Sequence, residues 1–348
     1  MYTAQITGPR TIEYKEVPMP EIKEGEALIR VKAAGLCGSD MHKFNSHSMP
    51  NMPTNIYGHE ISGVVEEIST SLSGFELGDR VVVKPILHCD SCEPCEEGAY
   101  QFCEDGGSIG KTVQGGFADY VAVPTSNLYR LNPDVPFDVA SLADPLAVAV
   151  HNFNKLREID TDDSVAIIGD GAIGLLSAYV AKQFGYSDIT VFGKHKSNLA
   201  IAKELGADTF YLASGDVDIS QHDFSNSKKI VIESVGGEQS QSMKMAVDLA
   251  ARQGEVVFAG VFPPQYVVNY AMRDQGWKEL SITGSNSFQM HKGKDEFETA
   301  VEMINRDSQT LEQIVSHKFP LSQITQAVDS MNNKGEKGVV KIVLEPSE

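Results

Sequence analysis

The sequence predicts an α/β chain in which a doubly wound parallel sheet is inserted after a mainly β domain. Three observations carry that prediction: the length, a change of rhythm near Ser164, and the run Gly169-Asp-Gly171-Ala-Ile-Gly174 directly after an apolar strand. A chain of 348 residues is too long for one comfortable core and long enough for two.

Before residue 145 the runs ALIRVKAAG, SGVVEEI, DRVVVKPIL and FADYVAVP are short, strand-like and punctuated by Gly and Pro. They read as a compact, mainly β domain. From Ser164 the pattern becomes strand, turn, helix: the apolar run Val165 to Ile168, a helical segment from Ala172 to Phe184, a strand at Ile189 to Phe192, and a helix over Asn198 to Leu205. Further strands are expected at Lys229 to Glu233, Glu255 to Ala259 and Leu280 to Thr283. Continuous apolar strands alternating with helices mean a parallel sheet covered on both faces. After Gly284-Ser285 two helices, near Asp295 to Ile304 and Leu321 to Met331, lead to a last strand at Val339 to Leu344. The expected organisation is a first domain over 1–146, an inserted sheet domain over 147–285, and a return to the first domain over 286–348.

Acidic residues outnumber basic ones 48 to 29, for a formal charge of −19. Nucleic-acid binding relies on Lys and Arg displacing counterions from phosphates, so the balance argues against a nucleic-acid partner and leaves room for a local basic pocket that takes one small anion. The opening MYTAQITGPRTIEYKEV has no basic start followed by an apolar run, and no stretch approaches the ~20 apolar residues that span a bilayer. The sequence therefore predicts a cytoplasmic protein with no membrane partner, where clustered cysteines hold metal more often than they form disulfides.

Four of the five cysteines lie within fifteen positions, as Cys89-x2-Cys92-x2-Cys95-x7-Cys103. Two-residue gaps let successive thiolates face one point, and four thiolates close the tetrahedral shell of a structural zinc. Such a lobe, 89–103, would stabilise a loop and do no chemistry. The fifth cysteine is Cys37, followed downstream by Gly58-His59-Glu60 and by Asp144-Pro145. A catalytic zinc takes three protein ligands of mixed type and keeps a position open. Cys37, His59 and Asp144 could supply them, with Glu60 as an alternating ligand or a carboxylate behind the ligands; each alone is equally explained as a buried cysteine, a core histidine or a helix-capping aspartate.

Gly169-x-Gly171-x-x-Gly174 follows a strand and opens a helix, as a Rossmann dinucleotide fingerprint requires. Its backbone, with Ala172 and Ile173, would bring pyrophosphate to the helix N-terminus. Asp170 inside it is expected to turn away from the phosphates. NAD enzymes place an acid at the end of the second strand to hold the ribose hydroxyls; this chain has Gly193 there, followed by Lys194, His195 and Lys196. The missing acid and the basic cluster predict NADP(H) in preference to NAD(H).

GLCGSDMH, GHE-x2-G, the four-cysteine lobe, GGFADYV and DPLAVAVH occur in this order, and over essentially the whole chain the sequence resembles the zinc-containing medium-chain dehydrogenases, most of all their polyol and polyol-phosphate branch. The resemblance implies a GroES-like catalytic domain and two zinc ions per chain. It further implies Asp40 behind the metal-bound His59, Ser39 at the reacting oxygen, His42 at the outer end of a proton relay, and Lys341 against the pyrophosphate. The last metal position usually reads Glu-Pro in that branch and here reads Asp144-Pro145. A small-molecule substrate and a homodimer or homotetramer are implied, with the loop around Phe44 to Asn55 bordering the substrate cleft. The expected reaction interconverts a secondary alcohol, a sugar alcohol or its phosphate, and the ketone. A threonine-type or simple secondary alcohol is the alternative substrate. A zinc-binding interaction module and a catalytically silent NADPH-binding relative are the rival classes.

Overall fold

Glu26–Leu36 is apolar and buried at all but Glu26, Arg30 and Lys32, and this eleven-residue segment forms the longest strand of the first sheet. The computed structural model describes residues 1–45, 54–69, 74–157, 160–212 and 224–346. Within them the chain divides into two units, Met1–Ala147 with Phe288–Glu348, and Val148–Ser287.

The first unit is built on a seven-stranded sheet ordered Val315–Pro320, Lys341–Glu345, Glu26–Leu36, Glu60–Ile68, Arg80–Val83, Leu128–Arg130, with Tyr120–Pro124 also pairing with Glu26–Leu36. Apart from the parallel pair at Val315–Pro320 and Lys341–Glu345, the ladders are antiparallel. Their inward side chains, among them Ile29, Val31, Leu36, Ile61, Val83, Val121 and Ile342, make one core. Register decides what this sheet presents at its end. Gly35 pairs with Glu60, and Leu36 pairs with Ile342. Antiparallel pairing therefore brings Cys37, just past one strand, level with His59 and with Lys341, which flank its neighbours.

The final segment is tied to this unit by a buried polar cluster. Lys84 Nζ lies 2.8 Å from Asp295 Oδ2, which also accepts from the Tyr129 hydroxyl at 2.9 Å. The other Asp295 oxygen accepts from the Phe297 backbone N–H at 2.8 Å, capping the helix Glu296–Leu311.

The second unit is a six-stranded parallel sheet. Its strands, in chain order Val165–Ile168, Ile189–Gly193, Asp208–Tyr211, Lys228–Glu233, Ala250–Phe258 and Ser281–Gly284, lie third, second, first, fourth, fifth, sixth across the sheet. This is the doubly wound order whose direction reverses beside the first strand. Val165–Ile168 and Ile189–Gly193 are buried throughout, as strands covered on both faces must be.

Two elements differ from expectation. The hairpin of Tyr2–Gly8 and Thr11–Glu16 has a charged second strand, TIEYKE, which carries no apolar run. Asp208–Tyr211 is an edge strand with half-exposed side chains, so it too lacks the continuous apolar signal. Of the loop expected to border the cleft, residues 46–53 lie outside the described residues. No helix among the described residues is long and apolar enough to cross a membrane.

Candidate active site

The cysteine lobe shows how local sequence makes a metal cage. Asp90 takes a left-handed conformation, φ 59°, turning the chain so that Cys92, at the start of the short helix Glu93–Glu96, comes back toward Cys89. The Cys89 backbone N–H points at Cys103 Sγ, 3.3 Å away. Sulfur atoms of Cys89 and Cys95 are 4.0 Å apart, those of Cys92 and Cys103 3.8 Å, and all four lie within 4.8 Å of one another. A disulfide would bring two sulfurs to about 2.05 Å, and all five cysteines are free thiols. Four zinc–sulfur bonds of about 2.3 Å in a tetrahedron separate the sulfurs by about 3.8 Å. The four residues fit a closed zinc site. Replacing Cys92 by Ala is expected to cost about 3 kcal/mol or more of stability and one zinc per chain; an unchanged melting curve would contradict that role.

The second group gathers at the sheet end described above. One ligand atom each from Cys37, His59 and Glu60 lies within 4.8 Å of the others. His59 is 1% exposed, and its two ring nitrogens face two carboxylates: Nδ1 is 3.6 Å from Asp40 Oδ1 and Nε2 is 3.9 Å from Asp144 Oδ2. Both separations exceed a hydrogen bond, and the second is close to the ~3.4 Å between nitrogen and oxygen ligands sharing one zinc. Asp144, in the first turn of the helix Ala143–Asn154, thus stands at the margin of the group formed by Cys37, His59 and Glu60. Burial acts to lower the His59 pKa, but Asp40 and Cys37 outweigh it and raise it well above the ordinary value. Negative charge is in excess around this imidazole, a condition that a divalent cation relieves. The donor set fits an open, mixed-ligand zinc site.

Asp40 is placed by the short helix Gly38–Asn45, where its Oδ2 accepts from the Cys37 backbone N–H at 2.9 Å. One carboxylate therefore holds the cysteine's backbone and faces the histidine's ring. Ser39 and His42 are three apart on the same helix and so share a face. The Ser39 hydroxyl oxygen is buried with no hydrogen-bond partner among the described residues, and His42 is exposed.

Lys341 is 3% exposed, and its ammonium is ion-paired with the Glu60 carboxylate, a partner that the sequence did not name. Burial pulls the Lys341 pKa down, but the Glu60 charge more than offsets this and raises it. Complete burial raises Glu60 as well, against the pull of Lys341. The proton belongs on the amine, whose ordinary range lies some six units higher. The sequence offered one signal of this pair: Gly35, where a Cβ would stand 1.9 Å from Glu60 Oε2 and 3.0 Å from Lys341 Cε.

In the second unit the three glycines of the loop do three different things. Gly169 has φ +116°, and a Cβ there would meet Ser234 Oγ at 2.6 Å. A Cβ on Gly174 would meet the Gly169 carbonyl oxygen at 2.0 Å, so the helix Ala172–Gln183 packs backbone against backbone. At Gly171, the residue before that helix, a Cβ would meet nothing within 4 Å, and no side chain caps the helix. The first N–H groups, from Ala172 onward, are left for an anion. The loop fits a pyrophosphate.

The strand end departs from expectation. Asp170 does turn aside, and it turns to Gly193: a Cβ on Gly193 would lie 2.6 Å from its Cβ and Oδ2. The missing acid at 193 therefore does not leave the strand end without a carboxylate, because Asp170 supplies one from the loop. Lys194 is exposed, and Lys196 stands over the Tyr211 ring with Nζ 5.1 Å from its centroid.

Comparison with known proteins decides the family. The family described as "Alcohol dehydrogenase GroES-like domain" matches residues 23–133, and "Zinc-binding dehydrogenase" matches residues 172–306. The chain belongs to the zinc-binding alcohol dehydrogenase family. Sorbitol dehydrogenase of Halalkalibacterium halodurans is 31% identical over 347 residues, 98% of this chain and 96% of the relative. L-threonine 3-dehydrogenase of Bacillus subtilis is 30% identical over 345 residues, 95% of this chain and 94% of the relative. Among solved structures, a zinc-binding dehydrogenase from Sinorhizobium meliloti bound to NADP superposes with a TM-score of 0.88 at 26% identity, covering 99% of each chain. This chain is accordingly an oxidoreductase of the medium-chain type, with a GroES-like domain and a parallel-sheet dinucleotide domain.

Proposed function

We propose that the chain interconverts a sugar alcohol, or its phosphate, and the corresponding ketone, using two zinc ions and preferring NADP(H). The observation that carries this reading is the meeting of Cys37, His59 and Glu60 at one sheet end, with Asp144 facing His59 and the helix that carries Ser39 and His42 starting directly after Cys37. When bound, zinc supplies a positive charge that acidifies an alcohol hydroxyl, and the nicotinamide supplies the hydride acceptor.

The protein's own residues have the following roles in this reading. Cys37 and His59 hold the ion, Asp144 completes the set, and Glu60, tethered by Lys341, is the alternating carboxylate. Asp40 keeps His59 in one orientation. Ser39 receives the alcohol proton at its otherwise unpartnered oxygen, and exposed His42 passes it to solvent. Cys89, Cys92, Cys95 and Cys103 hold the second ion. Gly169, Gly171, Ala172, Ile173 and Gly174 bind pyrophosphate, and Lys194, His195 and Lys196 receive a 2′-phosphate.

The relative named as a sorbitol dehydrogenase supports a polyol. The one named as a threonine dehydrogenase, at almost equal identity, supports an amino alcohol as the second reading. Absorbance at 340 nm with sugar alcohols, their phosphates and L-threonine, each with NADP+ and NAD+, separates the two. No change with any of them, on zinc-loaded protein, would favour the silent relative. Purified protein is expected to carry about two zinc per chain, of which a chelator removes one quickly; a single zinc would refute the two-site assignment. Free thiols throughout support a reducing, cytoplasmic setting. A homodimer or homotetramer is proposed on family grounds, to be read by light scattering.

A further inference from the structure

Gly193 and Asp170 are complementary: the missing side chain of one makes the space that the other fills. Both Asp170 oxygens are directed at His195. Oδ2 accepts from the His195 backbone N–H at 2.6 Å, and ring Nδ1 is 3.0 Å from Oδ1 and 3.1 Å from Oδ2. Asn198 Nδ2 donates to the Asp170 carbonyl at 2.9 Å, fixing the loop against the helix Lys196–Glu204. The Asp170 side chain is 9% exposed, that of His195 32%. The carboxylate thus lies behind the imidazole, and the imidazole lies between it and solvent.

We propose that Asp170 is a positioning residue for cofactor discrimination, holding His195 so that ring Nε2 faces a phosphate on the 2′ position of the adenosine ribose. The inference rests on the NADP(H) reading. A carboxylate only accepts hydrogen bonds, so Nδ1 is the donor to Asp170, and Nε2 is left free of that contact on a ring whose side chain is 32% exposed and whose chain neighbours are Lys194 and Lys196. An acid at the end of the second strand holds ribose hydroxyls with its own oxygens. Asp170 instead directs both oxygens at His195, with a side chain only 9% exposed. The carboxylate also explains how three basic residues gather at the N-terminus of a helix, where the macrodipole disfavours them: Asp170 balances them from behind, and an anion balances them in front.

One consequence concerns Gly193→Asp. It would place a second carboxylate against the first, so it is expected to weaken both NADP(H) and NAD(H). A clean exchange of preference requires Asp170 to be removed with it.

The deciding experiment titrates the full chain with 2′,5′-ADP and 5′-ADP by calorimetry, in the parent and in Asp170→Asn and Lys194→Ala, with nitrogen-15 spectra of the His195 ring. The parent is expected to prefer 2′,5′-ADP by about tenfold or more, and Asp170→Asn to lose about tenfold of that preference, the worth of one charge-assisted hydrogen bond. Affinity for 5′-ADP should stay within about twofold in the variant, and the ring proton should no longer be held on Nδ1. A parent with no preference overturns the NADP(H) reading and this inference with it. A preference lost in Lys194→Ala but kept in Asp170→Asn, with unchanged ring spectra, overturns the role of Asp170 alone. Equal loss of both ligands in Asp170→Asn would make the residue a support of the loop and also overturn the proposal.

Discussion

Replacing Cys37 by Ala is expected to lower turnover about 1,000-fold or more, because several kcal/mol of electrostatic stabilisation by the metal go with the thiolate. The fold should survive. Cys37 lies past the end of its strand, and it is only half-buried, outside the core cluster built on that sheet among the described residues. Zinc content should fall from about two per chain to about one, and the remaining ion should resist chelation. Parallel measurement on Cys92→Ala makes the result specific, since that variant should lose stability and the other zinc. Equal loss of fold in both variants would mean that the two metal sites had been exchanged. Full activity with both ions retained in Cys37→Ala would remove the cysteine from the catalytic set altogether.

The second large effect is expected from Lys341→Met. Glu60 is 1% exposed, and without the ammonium its charge would lose its ion-pair partner in the interior. Breaking a buried pair from one side costs about 3–5 kcal/mol, whereas replacing both partners by neutral groups often costs little. Urea unfolding should therefore show a large loss in Lys341→Met and substantial recovery in the Glu60→Gln/Lys341→Met double variant. A loss below about 1 kcal/mol in the single variant would place the pair among weak surface-like ion pairs instead. The cycle also bears on catalysis. If Glu60 alternates as a metal ligand, Lys341→Met should alter zinc exchange, while Cys89 to Cys103 keep their ion.

Legibility followed distance along the chain. The helix Ala172–Gln183 and the strand Val165–Ile168 were readable because periodicity and a glycine turn are local signals. The helix Gly38–Asn45 has only Met41 and Phe44 as large apolar residues, too few to mark a helix, although Ser39, Asp40 and His42 lie in a motif of the family resemblance. The strand Asp208–Tyr211 escaped because an edge position imposes no apolar run, and the Thr11–Glu16 strand because it is mostly polar. The ion pair of Lys341 was hidden for a related reason: Gly35 leaves room for it, but a lysine in a terminal strand does not name its partner, and that partner, Glu60, is 281 residues away.

By itself the sequence determined the four-thiol lobe and the glycine loop, since each is held within a few turns of backbone and the residue types leave few other uses. It also determined the family, through motifs spread over the chain. Only the tertiary structure decided which charges face one another. The sheet register set Lys341 beside Glu60 and brought Cys37 level with His59. Packing of the first strand's loop against the end of the second put Asp170 into the space at Gly193. Electrostatic contacts depend on separations of a few ångströms, and those are fixed by strand pairing and close packing, which spacing along the chain does not encode.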